Sequence, residues 1–368
     1  MFRPGRAFLS YLGAVVVTLA AATTGVLSVN LMVDPFWFFG GNKVFPRNLP
    51  FNERASKTNV FLKSPRQYDC LILGSSRVTL LDESRIDGHR CFNFAFSNGS
   101  VREFAEFAEY ARARGMAPRR VIVGINEEQF WPIAFKSDTP DFVHELTDPP
   151  GWGSVYFSLR ALDFSLRTLL RQYPLVRYYD RSLRADTLPG TPPFDPGRLA
   201  SEGPPQPFDV RSKPLFRRLL AVFPDAEYIG YAPPLSVWWV KRFEDAGGLD
   251  DYVAAVYEVS RMFHRFYDFS IPSTVTSDRA NTYDGEHFFR PVNAMVAGVL
   301  NGRATAGFGV DLHAVSAADY RRRFRSALDR FTSVAAAGSP ADAQAGRALS
   351  MASGDETADV RRRGDADE

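Results

Sequence analysis

Two distant parts of the chain carry residue types that could perform acyl chemistry together. Ser76 follows the apolar run at residues 70–73 in CLILGSSR, and Asp284 and His287 stand three residues apart in YDGEHFF. A carboxylate within one turn of an imidazole can hold the ring in the tautomer that accepts a proton from a serine hydroxyl. A serine beyond the end of that run is therefore a candidate nucleophile, with His287 as candidate general base and acid and Asp284 as candidate orienting carboxylate. The alternatives are a helix N-cap for Ser76 and a capped surface loop for the other two.

Acyl transfer through a serine also needs hydrogen-bond donors for the developing oxyanion. The turn SNGS follows the apolar CFNFAF and opens a predicted helix, which leaves backbone N–H groups free, so Asn98 could donate. Asn126 follows the strand-like RVIVGI and could donate through its side-chain amide. The structural alternative is a turn role for Asn98 and a cap role for Asn126.

The order of these residues resembles that of the SGNH, or GDSL-like, hydrolase superfamily. Its four sequence blocks are similar, in order, to Gly74-Ser75-Ser76, residues 93–99, Gly124-x-Asn126 and Asp284-x-x-His287. The resemblance covers residues 69 to about 300 apart from two inserts. It implies an α/β fold, a three-layer α/β/α sandwich with a mostly parallel sheet, and a Ser-His-Asp triad that needs no cofactor. In that triad Ser76 would be the nucleophile, His287 the general base and acid, and Asp284 the orienting carboxylate.

Three positions depart from the usual superfamily pattern. Ser75 and Glu127 each stand where an aspartate is usual, and Ala95 stands where the second block has glycine. Alanine keeps a backbone N–H, so the donor can survive, although a close backbone approach is less assured than with glycine.

The apolar N-terminus and the Gly-Ser-Ser block look most like membrane-anchored bacterial members of the superfamily. These are related to the proteins of alginate O-acetylation and to the D-alanyl-transfer protein of teichoic acid modification. That branch implies a serine esterase or O-acyltransferase acting on a cell-envelope polysaccharide, with a membrane-embedded acyl donor protein as a candidate partner. The alternative function is a non-catalytic scaffold or glycan-binding accessory protein of an envelope acylation system.

Two tryptophans are candidate substrate-binding residues. Trp238 and Trp239 lie in APPLSVWW, which we predict to be a loop at the wall of the substrate-binding groove. An indole ring there could stack on a sugar. Burial as loop anchors is the alternative. Histidines and cysteines lack metal-ligand spacing and no glycine-rich phosphate loop follows a strand, so we expect neither a metal nor a cofactor.

The elements that must position these residues alternate along the chain. Apolar runs predict strands near 70–73, 91–96, 120–125, 226–234 and 267–271, and helices are predicted at 101–114, 213–223 and 250–265. Strands separated by helices predict a parallel sheet with helices on both faces, and open sheets of this kind bind ligands beyond the carboxyl ends of their strands. A capping box, Ser100 with Glu103, marks the start of the first of these helices.

The N-terminus carries a membrane signal. Residues 7–33 hold 27 uncharged residues, more than the roughly 20 that a spanning helix needs. Arg3 and Arg6 precede them, so the positive-inside rule keeps the N-terminus cytoplasmic. We predict a single-pass protein of the bacterial inner (cytoplasmic) membrane whose catalytic domain lies in the periplasm or extracytoplasmic space. A cleaved signal peptide is the alternative.

The predicted domain organisation has four parts. Residues 1–34 form the cytoplasmic stub and anchor, 35–68 an irregular juxtamembrane segment, 69–332 the SGNH-like domain, and 333–368 a disordered tail. Phe36 and Trp37 are expected at the membrane interface. Inserts near 131–179 and 183–212 are expected outside the sheet, the first of them over its carboxyl edge.

Charge and cysteine content limit the partners further. The chain has 44 Lys and Arg against 42 Asp and Glu, without a basic stripe, so we expect no nucleic-acid partner. Cys70 and Cys91 both open apolar runs and are predicted to be buried free thiols. An exported location would nevertheless permit a disulfide between them.

Overall fold

A six-stranded, mostly parallel sheet forms the core of the protein. The computed structural model describes residues 5–132, 151–172, 175–203 and 205–336. The strands, in chain order, are β1 (Cys70–Leu73), β2 (Cys91–Asn93), β3 (Arg120–Gly124), β4 (Arg177–Tyr179), β5 (Ala185–Thr187), β6 (Glu227–Ala232), β7 (Arg265–Asp268) and β8 (Val310–Asp311). The spatial order is β2-β1-β3-β6-β7-β8, in which only β8 is antiparallel to its neighbour. Strands β4 and β5 form a separate antiparallel pair.

Helices fill most of the intervals between the strands. They are α1 (Arg6–Val33), α2 (Glu53–Leu62), α3 (Val101–Ala113), α4 (Trp152–Tyr156), α5 (Leu159–Leu169), α6 (Lys213–Leu220), α7 (Val237–Asp245), α8 (Leu249–Ser260), α9 (Arg290–Leu300) and α10 (Ala317–Ala336). The predicted capping box of α3 is confirmed: the Ser100 side chain accepts from Glu103 N–H, and the Glu103 carboxylate accepts from Ser100 N–H. The prediction of a mixed α/β protein with a mostly parallel sheet is confirmed.

Both faces of the sheet are apolar, as expected for strands inside a parallel sheet. In β1, Leu71 and Leu73 belong to one buried cluster, which includes side chains of α3, α6, α7, α8 and α10. Cys70 and Ile72 point to the opposite face and belong to a second cluster, which includes side chains of α9. The period of two along the strand therefore decides which helix each residue meets.

Helix α8 and strand β7 differ from the predicted boundaries. The helix ends at Ser260 instead of Arg265, and the strand begins at Arg265 instead of Tyr267. The cause is His264, which already pairs with β6: its N–H donates to Tyr228 O at 3.0 Å and its Nδ1 accepts from Tyr228 N–H at 3.0 Å. Pairing with the sheet thus overrides continuation of the helix.

The prediction of free thiols is wrong, because Cys70 and Cys91 form a disulfide. The two cysteines are register partners in the parallel pair of β1 and β2. Their side chains therefore lie next to each other on one face of the sheet. The register of two strands 21 residues apart is not visible in the sequence, which is why the pairing was missed.

The N-terminal helix α1 is, within the described part of the chain, the one helix long and apolar enough to cross a membrane. The following segment is less irregular than predicted, since it contains α2, whose N-cap Asn52 accepts a hydrogen bond from Ala55 N–H at 3.0 Å. Phe36 and Trp37 do not face a membrane interface but are buried.

The two inserts lie partly outside the described residues. In the first insert, α4 and α5 pack mainly on α1 rather than over the carboxyl edge of the sheet. In the second, β5 pairs with β4, and a 3-10 turn follows at Pro196–Ser201. Helix α10 continues to Ala336, three residues past the start of the predicted tail, and residues 337–368 lie outside the described part.

Candidate active site

Ser76 begins a short 3-10 turn, Ser76–Val78, directly beyond the end of β1. Val78 folds back over the ends of β1 and β3, and its side chain occupies the space that a Cβ on Gly74 or Gly124 would need. The two glycines thus let the turn sit tightly on the strand ends. This close approach, rather than a left-handed backbone angle, explains why glycine precedes the serine.

Ser76, His287 and Asp284 form one hydrogen-bonded line. His287 Nε2 lies 2.7 Å from Ser76 Oγ, and His287 Nδ1 lies 2.7 Å from Asp284 Oδ2. The other carboxylate oxygen of Asp284 accepts from the backbone N–H groups of Glu286 at 3.0 Å and His287 at 2.8 Å. Both distances are within hydrogen-bond range, and the distance from Nε2 to Ser76 Oγ is short enough for proton transfer.

The loop that carries Asp284 and His287 is held closed by its own hydrogen bonds. Thr282 Oγ1 donates to His287 O at 2.7 Å and accepts from Gly285 N–H at 3.0 Å. The Tyr283 ring stacks on the His287 ring, with centroids 5.4 Å apart and planes 7° apart. At Gly285 the φ angle is +89°, which favours glycine. The imidazole is therefore oriented by the loop as well as by Asp284.

The environment of Asp284 keeps its carboxylate charged. Burial alone would raise the pKa of Asp284, but the His287 ring and the N–H groups of His287 and Glu286 lower it below its ordinary value. A charged carboxylate fixes the imidazole tautomer and stabilises the imidazolium that forms when the ring takes a proton.

The predicted oxyanion donors differ in whether their N–H groups already have a hydrogen-bond acceptor within the protein. Ala95 N–H already donates to the Asn93 side chain at 3.0 Å, so it is not free for a substrate. Among the described residues, the N–H groups of Ser76 and Asn98 have no hydrogen-bond acceptor. Asn98 has a φ of +54°, and its neighbour Gly99 packs against Gly74 O at the end of β1. Of Ala95 and Asn98, only Asn98 has a backbone N–H without an acceptor among the described residues.

Asn126 lies just beyond β3, the strand that pairs with β1. Its side chain is buried, donates one N–H to Glu128 Oε2 at 2.8 Å and accepts from Gln129 Nε2 at 3.4 Å. An amide nitrogen carries two N–H groups, so one donor remains. These contacts fix the orientation of the amide.

A buried ion network, missed by the sequence analysis, connects three segments of the site. The guanidinium of Arg77, the residue after Ser76, binds Glu127 with two N–H groups and also contacts Glu286. Glu127 follows β3 and Glu286 lies between the two triad residues of the late loop. Burial raises the pKa of Glu286 to about 7. Glu127, which stands where the superfamily pattern usually has aspartate, therefore serves as the ion-pair partner of Arg77.

A second buried network, also missed, holds the turn that carries Asn98. Glu53 accepts from Ser97 N–H at 2.6 Å, from Arg177 Nη2 at 2.9 Å and from the Tyr179 hydroxyl at 2.5 Å. Lys57, one turn later on α2, donates to Ala95 O at 2.5 Å. The N-cap signal at Asn52 could have revealed α2, but not these partners, which come from distant parts of the sequence.

The charges of this second network depend on one another. Burial alone would raise the pKa of Glu53, but Arg177 and Lys57 lower it to about 2. Burial lowers the pKa of Lys57 to about 8 even though Glu53 favours its charged form. Glu53 is thus the charged centre on which the turn depends.

Trp238 and Trp239 lie in the first turn of α7 rather than in a loop. The Trp239 Nε1–H donates to Asp284 O at 3.4 Å. Arg242 Cζ lies 4.3 Å from the centroid of the Trp239 ring. Trp238 makes an edge contact with Phe194, with ring centroids 5.7 Å apart. Both rings remain partly exposed. The structure brings Trp239 to the triad loop and places Trp238 beside it.

Comparisons with family models and with curated proteins give no match for this chain. The function must therefore be argued from the geometry of the site.

Proposed function

We propose that this protein is a membrane-anchored, extracytoplasmic serine esterase or O-acyltransferase of SGNH type that acts on a cell-envelope polysaccharide. The observation that carries the proposal is the line from Ser76 Oγ through the His287 ring to Asp284, with both contacts at 2.7 Å. Three residues from opposite ends of the domain meet in the order that acyl transfer requires.

In the proposed reaction, His287 Nε2 takes the proton of Ser76 as Ser76 Oγ bonds to the acyl carbon. The negative oxygen is stabilised by the N–H groups of Ser76 and Asn98 and by the Asn126 amide. His287 then gives its proton to the leaving alcohol oxygen, which leaves an acyl-serine. Water or a sugar hydroxyl, deprotonated by His287, attacks that ester, releases the acyl group and returns the proton to Ser76.

Three features support the proposed location and fold. Helix α1 has the length and composition of a membrane span, and the Cys70–Cys91 disulfide is of a kind that persists in oxidising compartments outside the cytoplasm. Buried apolar clusters on opposite faces of the sheet support a three-layer α/β/α sandwich. The partly exposed Trp238 and Trp239 are suitable for stacking on a sugar of the substrate. A membrane-embedded acyl donor protein is the proposed partner.

A second candidate is a non-catalytic SGNH-fold scaffold or glycan-binding accessory protein. It is favoured by the hydrogen bonds that already engage two of the predicted oxyanion donors, Ala95 N–H and one N–H of Asn126. A scaffold would bind the glycan and turn over no ester.

Hydrolysis of short-chain acyl esters by the purified full-length protein separates the two candidates. Ser75→Ala is the matched control, because the Ser75 hydroxyl is buried and has no hydrogen-bond partner within the described residues. We expect turnover by the wild type and by Ser75→Ala and none by Ser76→Ala. Folded wild-type protein that hydrolyses no ester and transfers no acyl group to a glycan would favour the scaffold.

A further inference from the structure

Exposed large apolar side chains are concentrated in one region of the molecule. In the part of the chain that the structure describes, they lie only in α1, at Phe39 and Val44, and in residues 152–175. The last group comprises Trp152, Phe157, Leu159, Leu166, Leu170 and Leu175. A soluble surface would scatter such side chains singly, whereas a contiguous group indicates an interaction site.

Helix α5 has an inverted distribution of residue types. Its buried face holds the small residues Ala161, Ser165 and Thr168, whereas Leu159 and Leu170 are 76% and 66% exposed. Leu159 and Leu166 are seven residues apart, so they lie on one helix face, and Leu170, the C-cap directly after α5, is four residues further on. Large apolar residues outside and small residues at the helix–helix contact are typical of a helix that packs on another helix within lipid.

The buried face of α5 packs on the C-terminal part of α1. Asn30 of α1 is fully buried, accepts from Ser165 Oγ at 2.8 Å and donates to Tyr156 O at 2.7 Å. Leu27 and Leu31 pack in the same apolar cluster as Phe164. The exposed leucines of α5 thus continue the apolar surface of α1.

The length of α1 places this contact at the edge of a bilayer. About 20 residues cross the hydrocarbon core, and α1 has 28 residues. If the core begins at Ala7, the last seven residues, 27–33, extend about 10 Å beyond it, at 1.5 Å per residue. This is the part of α1 that α5 contacts, so α5 lies at the level of the lipid headgroups.

Basic residues lie on one side of the leucine face. Arg160 and Arg167 are exposed and each follows a leucine of that face by one residue, so they form an adjoining face about 100° away. Arg171, also exposed, lies just after the end of the helix. Arg167 pairs with Asp163 at 2.9 Å across one turn. An apolar face bordered by arginines is the pattern of a helix lying in the plane of a membrane interface.

We propose that α4 and α5 form a second membrane contact, a helical pair that lies in the lipid interface beside α1, with the exposed leucines of α5 towards the acyl chains and its arginines towards the headgroups. The proposal depends on α1 being a membrane span and is independent of the serine chemistry. With α1 as one membrane contact and the α4–α5 pair as the second, the domain would be held at a fixed distance from the bilayer.

Depth-dependent fluorescence quenching tests this proposal on the full-length protein in phosphatidylglycerol–phosphatidylcholine vesicles. An environment-sensitive fluorophore is attached without reductant, so that the disulfide stays intact, to Leu170→Cys. Leu12→Cys in α1 is the control for lipid, and Arg322→Cys on α10, where the side chain is 72% exposed, is the control for water. The quenchers are lipids with a spin label high on the acyl chain, and aqueous iodide.

The proposal predicts that the lipid quencher removes most of the emission at positions 170 and 12, whereas iodide quenches only position 322. Quenching of position 170 by iodide, as at position 322, would show that the face is in water and would overturn the proposal. Protection of position 170 from both quenchers would show that protein covers the face, which also overturns it. Absence of lipid quenching at position 12 would remove the premise that α1 spans the membrane. Ester turnover, measured on the same samples, reports separately on the serine chemistry.

Discussion

His287 has each ring nitrogen 2.7 Å from a partner, the Ser76 hydroxyl on one side and the Asp284 carboxylate on the other. Because Asp284 also accepts two backbone N–H groups, its carboxylate is fixed before a substrate arrives. At the scale of the residue, the proposed catalysis therefore depends on Asp284 placing a carboxylate oxygen against His287 Nδ1.

We predict that Asp284→Asn lowers the rate of ester turnover by about 10²-fold or more, the range attributed to general acid–base catalysis. An amide N–H facing Nδ1 would favour the wrong imidazole tautomer, whereas the loop bonds of Thr282 should still hold the ring in place. The loss should be smaller than that of Ser76→Ala. Steady-state kinetics and thermal melting measure both effects; an unchanged rate would mean that Asp284 does not orient the base.

Glu53 gives the protein a pH-dependent stability. Its folded-state pKa of about 2 is below its ordinary 4.5, so its contribution is complete above pH 4.5 and is lost as the pH falls towards 2. The shift corresponds to about 3 kcal/mol. We predict that the wild type is more stable than Glu53→Gln near neutral pH and that this advantage shrinks as the pH falls from 4.5.

Chemical denaturation of both proteins at several pH values measures the difference in the free energy of unfolding. Asp163→Asn serves as the control, because its carboxylate is half exposed and its pair with Arg167 should contribute little at any pH. A difference between wild type and Glu53→Gln that is constant across this pH range would contradict the assigned network.

At the scale of the element, the position of Ser76 depends on how tightly its turn sits on β1 and β3. Gly74 directly follows β1 and Gly124 is the last residue of β3, and both leave room for the Val78 side chain. A side chain at either position would push the turn, and the nucleophile with it, away from the strand ends.

We predict that Gly124→Ala destabilises the protein by about 1–3 kcal/mol, the usual cost of overpacking, and slows ester turnover. Gly298→Ala is the matched control: Gly298 lies inside α9 with open space around it, so alanine should stabilise the helix by about 0.5–1 kcal/mol. Thermal melting and turnover of both variants provide the comparison. Equal effects of the two substitutions would show that Val78 does not pack against Gly124 as described.

The sequence predicted the elements whose signals are local and missed those that depend on pairing across the chain. Strand β1 and helix α3 were recognisable from an apolar run and a capping box. The disulfide depends on strand register, and Glu53 binds Arg177 across 124 residues, so neither leaves a local signal. The triad residues were chosen from types and spacing, but their distances required the structure. Ala95 was chosen by position in a block, whereas its N–H is occupied by a neighbouring side chain.

At the scale of the whole molecule, α1 packs on α4 and α5 of the first insert, so this helix is joined to the domain by contacts as well as by the chain. Tyr156 of α4 donates its hydroxyl hydrogen bond to Asp34, directly after the end of α1. Asp34 also accepts from Phe39 N–H at 2.8 Å and from Gly41 N–H at 2.6 Å. The domain is thus attached rigidly at the point where the helix leaves the proposed membrane.

We predict that alkaline phosphatase fused after Glu368 is active in a Gram-negative host, because the basic N-terminus should keep only the residues before α1 in the cytoplasm. The fusion should also stay in the membrane fraction at its full length. A fusion lacking residues 1–34 is the control and should be inactive. Recovery of a soluble protein that begins near residue 23 would show that the apolar segment is a cleaved signal peptide.

The central claim is that Ser76 is an activated nucleophile, and covalent labelling tests it most directly. The full-length protein is treated with a fluorophosphonate, and the modified residue is located by mass spectrometry of the peptides. We expect an adduct on Ser76 in the wild type and in Ser75→Ala, and no adduct in Ser76→Ala or His287→Ala, although all four proteins should melt at similar temperatures. An unlabelled wild type, or a Ser76→Ala variant that still takes up the label, would contradict it.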